Sequence, residues 1–197
     1  MPKRTNPLSH LVSALRDLAT WLKKEKIPGI VIGGVAVSLL SRPRVTRDID
    51  AVVLLDAKMW GAFLASGKSF GFKPRMSDAL DFAKRSRVLL LQHESSGIQV
   101  DISLGALPFE IESIRRQKKI KVSNFIVPVA TPEDLIIMKV VAHRPRDLAD
   151  VGMILEVTPQ VDTKRISKWV KEFSKALEMP ELVEDLKKLL KKGRLNK

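Results

Sequence analysis

Three carboxylates carry the chemistry this sequence offers: Asp48 and Asp50 in Thr46-Arg47-Asp48-Ile49-Asp50, and Asp101 in Gln99-Val100-Asp101-Ile102-Ser103. Asp48 and Asp50 open an apolar run to Leu55 that reads as a buried strand, so their i, i+2 spacing puts both side chains on one face. Val100-Asp101-Ile102 lies in a second apolar segment, and pairing beside the first would bring a third carboxylate to the cluster. Like charges a few ångströms apart either raise a pKa or recruit a cation, and hard divalent cations prefer oxygen ligands. Mg²⁺ is the natural candidate, with Mn²⁺ as a substitute, because it keeps several waters and completes its shell with substrate phosphates. Two such ions about 3.5–4 Å apart can clamp the attacking and leaving oxygens of a phosphoryl displacement. Each aspartate alone has a plainer reading: Asp48 as a cap at the strand entrance, Asp50 as a partner of Arg47 or Arg44, and Asp101 as an edge residue. The three together, behind a glycine pair, favour the metal reading.

The glycine pair, Gly33-Gly34, precedes Asp48 by enough chain for one short helix and a return to the sheet. A strand-to-helix turn of two glycines lets backbone N–H groups approach a triphosphate without Cβ interference, and the helix N-terminus that follows favours negative charge. Arg42, Arg44 and Arg47 lie between glycines and acids, where a guanidinium can grip phosphates in a bidentate manner. Lys139, flanked by Ile137, Met138, Val140 and Val141, reads as a partly buried ammonium that needs a phosphate or a carboxylate partner. Asp147 and Asp150, preceded by Arg146, are the carboxylates that could orient Lys139 or His143. His10, His93 and His143 lack metal-ligand spacing, and no Ser-His-Asp, zinc or dinucleotide-binding pattern appears.

Gly33-Gly34, Asp48-Ile49-Asp50 and Asp101 between apolar neighbours resemble the glycine, paired-aspartate and third-aspartate signature of the DNA polymerase β-like nucleotidyltransferase superfamily. The second glycine, Val35-Ala36 and Arg44-Val45-Thr46-Arg47 make the chain more similar to the AbiEii/AbiGii and MenT-like toxin branch. Thr131-Pro132-Glu133-Asp134-Leu135-Ile136-Ile137-Met138-Lys139 and Arg146-Asp147-Leu148-Ala149-Asp150 resemble it too, so the likeness covers about residues 29 to 156. It implies transfer of a nucleoside monophosphate from an NTP to an acceptor, with release of pyrophosphate. Asp48 and Asp50 would bind two Mg²⁺ ions; Asp101 would bind one and take or position the proton of the attacking hydroxyl. Gly33, Gly34, Arg47 and Lys139 would hold the triphosphate, with Thr46, Arg146 and Asp147 as further site residues. The branch, with the basic charge described next, implies an RNA acceptor, the 3′ end of tRNA, and a cognate antitoxin. The alternatives are a small-molecule or protein hydroxyl as acceptor, or a catalytically silent nucleotide- or RNA-binding module, against which the intact acids argue.

At 197 residues the chain is long enough for one catalytic domain, expected over 1–156, and a helical extension over 157–197. With no cysteine, it has neither disulfides nor thiolate chemistry, and without an apolar span of membrane length a cytoplasmic protein is expected. Lys and Arg number 35 against 22 Asp and Glu, a net charge of +13 that favours polyanionic partners. The basic residues cluster at Arg42–Arg47, at Lys84, Arg85 and Arg87, at Arg115–Lys119, and in a tail of Lys187, Lys188, Lys191, Lys192, Arg194 and Lys197. On a helix that tail reads equally as an RNA contact or as a solvated face.

The pattern of elements is an α/β (α+β) fold: a mixed sheet of about five strands flanked by helices, with a helical C-terminal extension. Leu11, Leu15, Leu18 and Leu22 predict a helix over 9–24, followed by a strand at 30–32, the glycine turn, a helix over 35–40 and the Asp48 strand. A helix over 57–70 and a loop with a short helix near 79–83 lead to a hairpin, 88–92 and 98–104, whose second strand carries Asp101. A helix over 109–117 and a strand over 125–129 follow. Thr131 then caps a helix to His143, Pro145 restarts it, and two amphipathic helices around 166–177 and 182–190 end the chain.

Overall fold

The computed structural model describes residues 7–195, so Lys197 of the basic tail lies outside the described residues. The chain divides into two compact units: the residues to Val35 with Val45–Val129, and Ala36–Arg44 with the residues from Ala130 onward.

The first unit holds the sheet. Its elements are α1 (Pro7–Lys24), β1 (Gly29–Ile32), the first turn of α2 (Gly33–Leu40), β2 (Asp48–Val53) and α3 (Trp60–Gly67), the last with a 3₁₀ turn at each end. They continue with β3 (Phe72–Pro74), α4 (Ala79–Ser86), β4 (Val88–His93), β5 (Gln99–Leu104), α5 (Pro108–Arg115), β6 (Lys118–Val122) and β7 (Phe125–Val129). The strand order is β3-β4-β5-β2-β1-β7-β6. The β2–β5 and β1–β7 pairs are parallel and the other four antiparallel. Among the described residues seven strands stand where about five were expected, because both edges carry a strand that the hydrophobic pattern conceals. β3 is three residues long and ends in proline, and β6 is Lys-Lys-Ile-Lys-Val; short, proline-ended or lysine-rich edges discourage further pairing.

Strand alternation decides which face is core. Ile49, Ala51 and Val53 of β2, Val100, Ile102 and Leu104 of β5, and Leu89 and Leu91 of β4 are buried, whereas Asp48, Asp50 and Asp101 fall on the opposite face. The helical stripe of α1 buries Leu15, Leu18, Trp21 and Leu22. Trp21 stacks on Phe63 with ring centroids 4.1 Å apart and on Phe72 at 5.3 Å, and its indole N–H donates to Ser66 Oγ at 2.9 Å. Burying each large apolar side chain contributes roughly 1.5–3 kcal/mol relative to exposure. This is the core under the strands that carry the acids.

The second unit is helical: the remainder of α2, α6 (Pro132–Ala142), α7 (Pro145–Val157), α8 (Thr163–Leu177) and α9 (Glu181–Leu195). Thr131 caps α6 by accepting the Asp134 N–H at 3.2 Å, and Pro132 occupies the first helical position. α6 is buried on nearly every side, through Leu135, Ile136, Ile137 and Val140, as the central helix of a bundle must be. The domain boundary expected at 156/157 falls inside this unit, at the end of α7.

Candidate active site

The parallel pairing of β2 with β5 sets Asp50 directly beside Asp101 and Asp48 beside Gln99. On its other side Asp50 is paired with Ile32, the last residue of β1. The three acids therefore share one face at the centre of the sheet, with Asp48 exposed and Asp50 half-buried. Gly33 follows Ile32 immediately and has φ +62°, in the left-handed region. A Cβ built there would lie 1.9 Å from Asp50 Oδ2, so the carboxylate rests where any other residue would place its side chain. Gly33 is required by both conformation and contact. Gly34, its neighbour, is buried at the start of α2.

Thr46 donates its hydroxyl to Asp48 Oδ1 at 3.1 Å and to the Asp48 carbonyl at 3.3 Å, fixing the strand entrance; Arg47 is exposed. Arg75, which sequence reasoning did not single out, joins the group. Its guanidinium donates to Asp101 Oδ1 and, at 2.7 Å, to Gln99 Oε1. Burial pushes the Asp101 carboxyl above its usual range; the Arg75 charge opposes this, and the charge of Asp48 reinforces it. Among the described residues no three His, Cys, Asp or Glu side chains are grouped as ligands of one ion, and it is Arg75 that engages Asp101. The donor chemistry, carboxylate oxygens on adjacent strands, nevertheless suits a hard divalent cation.

The remaining candidates belong to the helical unit. Lys139 is 7% exposed and its ammonium lies 2.7 Å from Asp147 Oδ1 and 3.0 Å from Asp150 Oδ2, the ion-pair alternative that the sequence left open. Arg144 also pairs with Asp147, and Arg44 pairs with Asp150 at 2.5 Å. Burial would raise the Asp147 carboxyl, but hydrogen bonds from Arg144 and Lys139 and their charges outweigh it and hold it below the usual range. Arg146 is exposed, and His143 pairs with Asp185 at 3.0 Å instead of with Asp147 or Asp150.

Although the sequence shows no Ser-His-Asp spacing, the fold brings those residue types together at His93. His93, 1% exposed, contacts Ser96 Oγ through Nδ1 at 2.7 Å and Asp17 Oδ2 through Nε2 at 3.0 Å. Ser96 Oγ also accepts the Ile98 N–H at 3.3 Å within the β4–β5 turn, and the Ser96 carbonyl is 3.2 Å from His10 Nδ1. The chain of contacts ties α1 to that turn and holds the second acid strand in place.

The likeness to known proteins agrees with this geometry. A crystal structure of an antigenic nucleotidyltransferase-like protein from Paracoccidioides brasiliensis matches at 17% identity over 91% of this chain and 93% of that one, with TM-score 0.55. The structure of ANT(2″)-Ia in complex with adenylyl-2″-tobramycin matches at 12% identity over 86% and 99%, with TM-score 0.58. The lincomycin-bound lincosamide antibiotic adenylyltransferase LnuA matches at 17% identity over 76% and 97%, with TM-score 0.52. Identities this low speak for the fold. No curated protein matches the chain. By fold and family the protein is a nucleotidyltransferase. The chain belongs to the AbiEii family, described as the nucleotidyl transferase AbiEii toxin of a type IV toxin–antitoxin system, whose model matches residues 14–194.

Proposed function

We propose that the protein transfers a nucleoside monophosphate from an NTP to an RNA hydroxyl, releasing pyrophosphate, with the 3′ end of tRNA as the acceptor. The observation that carries the reaction is the register of Asp50 beside Asp101, with Asp48 on the same face and Gly33 against the Asp50 carboxylate. Asp48, Asp50 and Asp101 would hold Mg²⁺, which when bound would neutralise charge on the phosphates and acidify the acceptor hydroxyl. Asp101, half-exposed and with a raised pKa, would accept or position that hydroxyl's proton. Thr46 steadies Asp48, and the N–H groups of the Gly33-Gly34 turn with Arg47 hold the triphosphate by charge and alignment.

The net charge of +13 supports a polyanionic acceptor, and the family description supports a cognate antitoxin as partner. No helix among the described residues is long and apolar enough to cross a membrane. A second reading comes from the structures bearing adenylyl-tobramycin and lincomycin, which make a small-molecule hydroxyl the competing acceptor.

The test is incubation with each labelled NTP and total RNA, with and without Mg²⁺, followed by separation of RNA, protein and small-molecule products. Mg²⁺-dependent label in RNA is the expected outcome. Label confined to protein or to an added aminoglycoside replaces RNA with that acceptor, and label nowhere removes the catalytic reading.

A further inference from the structure

We propose that Arg75 is the resident counter-ion of the acid cluster, a positioning residue that competes with a divalent cation for Asp101 and so sets how readily the empty enzyme takes up metal. The inference rests on the assignment of Asp48, Asp50 and Asp101 as the metal-holding acids.

Arg75 is held for this task by backbone and side chain together. Its N–H donates to the Leu90 carbonyl at 2.9 Å, which carries the β3 ladder one residue past Pro74. Leu90 of β4 is in turn paired with Asp101 of β5. The Arg75 side chain must therefore pass over β4 to reach β5, about two strand spacings of ~4.8 Å, and its length matches that span. The bond to Gln99 Oε1 fixes the plane of the guanidinium, and the Arg75 side chain is only 24% exposed. A free surface arginine does not have this degree of definition.

The charges give the contact its meaning. Asp48, Asp50 and Asp101 put three carboxylates on one face, and a cluster of that kind favours whatever cation can reach it. Arg75 engages Asp101 Oδ1, an oxygen that a cation bound at the cluster would compete for. A divalent ion arriving there has to displace the guanidinium, which can stay anchored on Gln99 when it lets go. An ion pair serving only to fasten β3 would leave metal affinity untouched when removed, whereas a competing counter-ion predicts that its removal tightens metal binding.

The experiment is Mn²⁺ titration of the nucleotide-free protein, read as the free-ion electron paramagnetic resonance signal, for wild type, R75A, R75Q and D50N. R75A and R75Q should each bind Mn²⁺ about two- to fivefold more tightly than wild type, the size expected of a partly exposed charge pair. D50N should lose binding. If both Arg75 variants bind Mn²⁺ no more tightly than wild type while D50N still loses it, the counter-ion role is overturned and the acid site stands. If D50N binds as wild type does, the acid-site assignment fails and this inference fails with it. R75Q retains the backbone bond to Leu90 and a neutral partner for Gln99, so the comparison does not depend on R75A keeping β3 in place.

Discussion

Lys139, Arg44 and Arg144 gather around Asp147 and Asp150 in the helical unit, while in the sheet unit Asp48, Asp50 and Asp101 share a face on which Arg75 reaches Asp101. Asp147 is fully buried and Asp150 is 2% exposed, whereas the Asp101 side chain is 39% exposed. The same residue type titrates in opposite directions in the two places: Asp147 is held below the usual range by its cations, and Asp101 is pushed above it by burial and by Asp48. A sealed cluster with cations to spare is an internal strut, because each buried charge already has its partner. A solvent-open group of carboxylates is where the proposed Mg²⁺ would be held.

The strongest way to break this contrast is Asp48→Asn or Asp50→Asn. Transfer should fall by about 100-fold or more, as expected when a ligand acting only in the assembled site is lost. The melting temperature without metal should hold or rise, since a like-charge repulsion is relieved. A radiolabel assay beside a thermal melt reads both, and normal turnover in either variant would refute the acid assignment. The helical cluster should behave in the reverse manner. Asp147→Asn removes the partner of Arg144 and one of the two carboxylates beside Lys139, which keeps Asp150, and should cost about 2 kcal/mol of stability in denaturant unfolding.

Smaller in effect is Gly33→Ala, which adds a Cβ against Asp50 at φ +62°. We expect about 1–2 kcal/mol of destabilisation and a turnover loss larger than that of any Asp147 variant still folded at the assay temperature. The smallest effect is on the pH profile. With its pKa lowered in the fold, Asp147 contributes stability that is fully present above its unfolded value, near 4, and lost as pH falls through the lower folded value. The melting-temperature gap between wild type and Asp147→Asn should be widest near neutrality and close in acid below about pH 4. Asp101, shifted the other way, contributes a slope of opposite sign, so Asp101→Asn should widen its advantage as pH rises.

What the sequence made legible was whatever depends on spacing along one element. The i, i+2 acids, the buried alternation of β2 and β5 and the Thr131 cap all follow from short-range periodicity, and each stands where it was expected. What escaped depends on lateral neighbours. β3 gives too few residues for an alternation to show, and the lysines of β6 hide a strand inside a basic run. Arg75 lies 26 residues from Asp101, and only the β3-β4-β5 order brings its side chain there. Lys139 was legible as a cation that needed a partner, but choosing between phosphate and carboxylate required knowing how α7 turns after Pro145.

The helical unit is built from two separate stretches, Ala36–Arg44 and the residues from Ala130. During synthesis α2 leaves the ribosome about 90 residues before the helices it belongs with, so that stretch waits through the whole sheet for its partners. A fragment beginning at Ala130 would lack Arg44 and leave Asp150 short of one of its cations. The sheet strands can pair before the later helices are made, while the bundle can close only once α9 has emerged.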